Sequence, residues 1–118
     1  MILRTAVRLN CAYAVHASTR IALNSGLSQS EIEALTADDQ VTGVDRVIVL
    51  IARMADDIAD RATLGEDLLE AAMEQWGVDD TRKLILMLGW FNLVNRYESA
   101  CRVPNDSDEK LVRSSGPI

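Results

Sequence analysis

Apolar and polar residues alternate along this chain at helical spacing. Ile2, Leu3, Ala6, Val7 and Leu9 read as the end of a helix that starts abruptly at Met1. Asn10 is the expected N-cap of the next helix, with Cys11 in its first turn. That helix should run to about Asn24 and stop at Gly26, a C′ residue free to adopt positive φ. Ser28-Gln29-Ser30-Glu31 is a capping box of the S-x-x-E type. It opens a short helix over 30–35, and a polar connection over 36–42 follows. From Gly43 onward, Val44, Val47, Ile48, Ile51, Met54, Ala55 and Ile58 form an i, i+3, i+4 series. Residues 47–51 would suit a buried strand by composition, but the periodic flanks and total length favour a buried helix. Thr63 and Glu66 form a second candidate capping box, opening a helix over 64–76 that ends at Gly77. Asp79 or Asp80 then caps the longest helix, over 81–102. Its centre, 84–91, is apolar nearly all round and must therefore be buried on every side. In so small a domain this predicts a subunit interface as much as a private core. Pro104 should end the helix, leaving 105–118 as a mobile polar tail. The pattern predicts an all-α, single-domain bundle of about six helices over 1–103, with a polar C-terminal tail over 104–118.

Composition supports this reading and removes several function classes. The 118 residues suffice for one core. Proline occurs only at Pro104 and Pro117, which leaves long helices unbroken. A net charge of −6 with no Lys/Arg cluster argues against nucleic acid, whose phosphates demand one. No apolar run approaches the ~20 residues of a membrane span, and Met1-Ile2-Leu3-Arg4 lacks the layout of a signal peptide. Two cysteines ninety positions apart make no disulfide framework, so reduced thiols in a cytoplasm are expected. With one histidine, a structural or catalytic zinc site is not expected. No cofactor is called for.

The stretch with chemical content is the second helix. Cys11, Val15, Ser18 and Ala22 fall within about ±40° of one another at ~100° per residue. A thiol in a first helical turn lies near unpaired N–H groups and the positive end of the helix dipole, a setting that favours thiolate. The plainer reading of Cys11 is a small buried hydrophobe. His16 lies about 140° from Cys11 and groups with Ala12, Tyr13, Thr19 and Arg20, so it cannot take the Cys11 proton within its own helix. A lone histidine is more often a surface or packing residue. Asp56, Asp57 and Asp60 with Arg53 and Arg61 read as a solvated, salt-bridged face, and Glu66, Asp67, Glu70 and Glu74 likewise. Trp76, Trp90, Phe91 and Tyr97 are most simply packing anchors. Nothing in the sequence pairs Cys101 with Cys11.

The runs Ile2-Leu3-Arg4-Thr5-Ala6, Asn10-Cys11-Ala12-Tyr13 and Ala22-x-x-x-Gly26-Leu27-Ser28-x-x-Glu31-Ile32-x-Ala34-Leu35 resemble the carboxymuconolactone decarboxylase / alkylhydroperoxidase D-like family. The resemblance extends over about 2–104 and implies that family's helical fold, in trimers or hexamers. The peroxidase branch reads C-x-x-C-x-x-x-H after an upstream glutamate, its cysteines cycling between dithiol and disulfide. Anchored on Gly26-Leu27-Ser28, the first cysteine falls on Cys11, the second on Ala14 and the histidine on Ser18. The glutamate would fall before Met1. Intramolecular C-x-x-C chemistry is therefore not available. The decarboxylase branch reads Y-E-W-x-x-H; Tyr13 matches, Ala14 and Val15 replace Glu and Trp, and Ser18 again replaces His.

Three functions follow as expectations, in this order. The first is a cofactor-independent enzyme acting on a small organic acid or lactone, a decarboxylase-like lyase with Tyr13, His16 and Ser18 as hydrogen-bonding and acid–base groups. The second is a single-cysteine thiol redox protein, Cys11 attacking and an external thiol resolving. The third is a non-catalytic oligomeric member of the family. Fold resemblance alone does not choose among them.

Overall fold

The computed structural model describes residues 1–103, and among them every regular element is an α-helix. The order is α1 (Ile2–Arg8), α2 (Ala12–Asn24), α3 (Gln29–Thr36), α4 (Arg46–Arg61) and α5 (Glu66–Ala100). The all-α class is observed, with five helical spans instead of about six. The difference lies at Gly77. The two helices expected on either side of it are both present and abut within the α5 span, separated by a kink where Gly77 adopts φ +80° and ψ 171°. An L side chain is strained in that conformation, so one glycine places the break. Asp79 and Asp80 lie inside the helix and do not cap it. The expected tail and the role of Pro104 lie outside the described residues.

Local signals set most of the remaining boundaries. The N-cap of α2 is Cys11, one residue later than expected, because Asn10 turns to φ +52° and closes the preceding turn. Asparagine tolerates that left-handed conformation better than most residues. The Ser28 capping box is formed in both directions. Ser28 Oγ accepts from the Glu31 N–H at 3.2 Å, and the Ser28 N–H donates to Glu31 Oε2 at 3.0 Å. The Thr63–Glu66 box is not formed; α5 starts from Gly65 without a side-chain cap, and the Gly65 N–H donates to Asp57 Oδ2 at 3.0 Å. Asp45 caps α4 by accepting from the Val47 N–H at 2.8 Å.

Because α3 inserts Ile32 and Leu35 into the core with Leu3, Ala22, Val41 and Ala52, its start matters to the whole fold. Ser28→Ala is expected to lower stability by about 1 kcal/mol. Urea denaturation followed by circular dichroism would register this as a lower midpoint at unchanged slope.

The short helix α1 is the centre of the bundle, packed against α2, α3, α4 and α5. A second apolar cluster, Leu50, Met54, Ala55, Ala72 and Leu88, joins α4 to both parts of α5. Between the clusters runs a polar hub. The Arg4 side chain is fully buried and grips Asp56 in a fork, Nε to Oδ1 at 2.6 Å and Nη2 to Oδ2 at 3.1 Å. It also donates to the carbonyls of Leu35 (3.1 Å), Ala37 (2.6 Å) and Asp39 (2.9 Å). These carbonyls belong to the end of α3 and the loop after it, where a helix leaves acceptors unpaired. Arg8 repeats the theme at the surface, joining Asp60 at 2.5 Å and the Asp38 carbonyl at 3.0 Å.

The acidic face read as solvated is thus partly a set of tertiary ties. Asp56 holds Arg4, Asp57 holds Arg61 and the start of α5, and Asp60 holds Arg8.

Candidate functional site

The start of α2 and the last turns of α5 meet on one side of the bundle. Cys11 is fixed there by its backbone, its N–H donating to the Ala6 carbonyl at 3.0 Å and its carbonyl accepting from the Val15 N–H at 2.9 Å. Its side chain is buried with Ala6 and Ala14, and Tyr13 and Val15 pack against them. No side chain caps α2, so the first-turn N–H groups beside Cys11 are not taken by an N-cap hydroxyl or carboxylate. The Cys11 sulfur points at α5, with Sγ 3.9 Å from Glu98 Oε2. That is a long but acceptable thiol-to-carboxylate hydrogen bond, the thiol donating.

Glu98 is half-buried. Burial pushes its carboxyl above the ordinary 4.5, and the Cys11 hydrogen bond opposes this more weakly. Beside it opens a groove of about 490 Å³, lined by Tyr13, Leu93, Val94, Tyr97, Glu98 and Val103. The neighbouring Cys101 thiol, at the end of the helix one turn on, pushes the Tyr97 hydroxyl above 10.0. A thiol, a carboxylate, two phenols and a second thiol therefore collect at the α2–α5 junction.

The four residues singled out in the sequence do not share one place. Cys11 and Tyr13 reach this junction. His16 is exposed and does not line the groove. Ser18 is buried farther along α2, on the side that also buries Ala14 and Ala22. Two residues that matter most to the site and fold escape local spacing: Glu98 lies in no motif, and Arg4 lies in the run 2–6 without any sign of its buried role. The Cys11–Glu98 contact spans 87 positions, beyond the reach of any local spacing rule.

A larger concavity of about 910 Å³ lies between α4 and the first part of α5. Arg46, Arg53, Arg61, Asp56, Asp57, Glu66 and Asp67 line it with both signs interleaved. Its Arg61–Asp57 pair is closed at 2.7 Å, and Asp56 is held by Arg4. Unlike the smaller groove, it has no lining carboxylate that takes a hydrogen bond from a thiol. No group of three or more potential metal ligands occurs among the described residues. No helix of the described chain is long and apolar enough to cross a membrane.

Compared with protein-family models, curated proteins and solved structures, the chain matches none.

Proposed function

We propose that the chain is a single-cysteine thiol protein that reduces hydroperoxides, with Cys11 as the attacking sulfur and Glu98 as its proton acceptor. The observation that carries this is the Cys11 sulfur turned onto the Glu98 carboxylate at 3.9 Å beside an open groove. A lyase reading would need Tyr13, His16 and Ser18 to converge as donors on one substrate; His16 is exposed and Ser18 is buried away from the groove. The resemblance to the alkylhydroperoxidase D-like family supports thiol chemistry at Cys11, and Ala14 and Ser18 exclude that family's dithiol route.

In the proposed reaction the Cys11 proton passes to Glu98, and the thiolate attacks one oxygen of ROOH. The O–O bond breaks, an S–O bond forms, and the departing alkoxide takes the proton from Glu98 to leave as ROH. Sulfur is oxidised by two electrons and the peroxide reduced by two, leaving Cys11 as a sulfenic acid. An external thiol then attacks that sulfur and releases water, and a second thiol frees Cys11 as the thiol again. A reducing compartment such as a cytoplasm suits the thiol donor. The self-association expected from 84–91 is a separate proposal that does not depend on this chemistry.

The test is peroxide treatment in the presence of a sulfenic-acid trap, followed by peptide mass spectrometry. An adduct should form at Cys11 and vanish in Cys11→Ser. An adduct confined to Cys101, or none at stoichiometric peroxide, would sink the proposal.

A further inference from the structure

The second part of α5 is inverted relative to an ordinary amphipathic helix. Toward the bundle it buries Thr81, Leu88, Asn92 and Asn95, the two asparagines donating to the Leu88 and Phe91 carbonyls of their own helix. Away from the bundle stand Leu86, Trp90, Leu93 and Tyr97, exposed by 75%, 60%, 59% and 64%. Their 4-3-4 spacing puts all four within about 30° of one line along the helix, the seam that paired helices use. We infer that a second copy of this chain covers this seam, α5 against α5 in an antiparallel, two-fold pair.

Gly89 is an independent pointer to an outside helix. It sits in mid-helix beside the seam, where glycine is disfavoured by roughly 0.5–1 kcal/mol against alanine. A Cβ there would meet nothing within 4 Å in its own chain. Nothing inside the protomer therefore calls for glycine, whereas close approach of another backbone does.

Charge selects the direction. Asp79, Arg82 and Lys83 flank the seam at one end, and Arg96 and Glu98 at the other. A parallel pair would set each against its own copy, and an antiparallel pair separates them. Antiparallel pairing also places Leu86 of one copy opposite Tyr97 of the other, and Trp90 opposite Leu93. Each copy would bury roughly 500 Å² of apolar side chain, about 1,000 Å² for the pair, which meets the lower bound for a specific interface. The chain beyond Val103 offers only Leu111, Val112 and Ile118 as apolar side chains other than proline, a poor match to four large ones.

The pairing has a consequence for the thiol site. Leu93 and Tyr97 belong both to the seam and to the groove beside Glu98. The second copy therefore roofs part of that groove and restricts access to Cys11. This consequence rests on the thiol reading of the site; the pairing itself does not.

Light scattering at micromolar concentration should give twice the 13.0 kDa chain mass. Trp90→Glu and Gly89→Gln should each shift it to the monomer at unchanged helix content; the second also replaces a poor helix former by a good one, so a folding failure is not its expected effect. Direction is read in a Cys11→Ser/Cys101→Ser background. Chains carrying Leu86→Cys should cross-link to chains carrying Tyr97→Cys, and neither to itself. The Cys11 thiol of the otherwise wild-type Trp90→Glu protein should alkylate several-fold faster than in the pair. A wild-type monomer overturns the pairing, and self-cross-linking of Leu86→Cys chains overturns its direction. An unchanged alkylation rate overturns the roofing. None of these readouts requires peroxide turnover, so failure of the redox reading would be seen separately.

Discussion

Arg4→Met should destabilise the fold by about 3–5 kcal/mol, the range for removing one partner of a buried ion pair. Methionine fills much of the same volume, so the loss is chiefly polar. Asp56 would keep only Arg8, whose Nε lies 3.7 Å from Oδ1, and the carbonyls of Leu35, Ala37 and Asp39 would lose their shared donor. Against a total of 5–15 kcal/mol for an ordinary domain, that leaves a protein near its unfolding threshold at room temperature. Arg4→Lys should fall between, because an ammonium keeps the charge but not the fork that serves a carboxylate and three carbonyls at once. Adding Asp56→Leu to Arg4→Met should recover part of the loss, since the second change removes the stranded carboxylate. Urea midpoints for the four proteins decide it. An Arg4→Met variant as stable as wild type would mean that the hub is incidental to the fold.

Why this hub escaped a reading of the sequence is a matter of distance along the chain. Helix class, the Ser28 box and the break at Gly77 are local, fixed by side chains within four residues of one another. Arg4 instead finds partners 31 to 52 positions away, and nothing in Ile2-Leu3-Arg4-Thr5 marks it as buried. By local spacing Asp56, Asp57 and Asp60 belong in solvent, as acidic residues on a helix face usually do. The apolar run over 84–91 shows the opposite limit. Its composition demands cover on all sides, yet within the chain only Leu88 is buried, while Leu84, Ile85 and Phe91 are half-covered and Leu86, Met87 and Trp90 stand exposed. Composition shows that cover is needed; direction needs the helix placed against α1 and α4. At the site, Cys11 was legible because a helix start is a local event, and Glu98 was not, because only the packing of α5 on α2 brings it there.

Glu98→Gln should slow the reaction of Cys11 with hydroperoxide about a hundredfold, the lower range for losing a positioned proton acceptor, while making the protein slightly more stable at neutral pH. The two signs differ for a physical reason. Burial holds the Glu98 carboxyl above 4.5 in the folded protein, so folding favours its protonated form. Its contribution to stability is then fully present below 4.5 and is lost as pH rises through the raised folded value. An amide, neutral at every pH, escapes that loss, and the stability of the variant should vary less with pH across that window. Reactivity runs the other way. The wild-type rate should fall as pH drops through the raised Glu98 value, because a protonated carboxyl cannot accept the Cys11 proton, and that inflection should be missing in Glu98→Gln. Single-turnover oxidation measured by trapping the sulfenic acid, alongside urea denaturation across the same pH range, separates the two effects. A residue that only supported packing would lower stability and leave the inflection in place, and that outcome would remove Glu98 from the chemistry. Such a pairing of slower chemistry with a firmer fold is what a desolvated, half-buried acid beside a reacting thiol should produce.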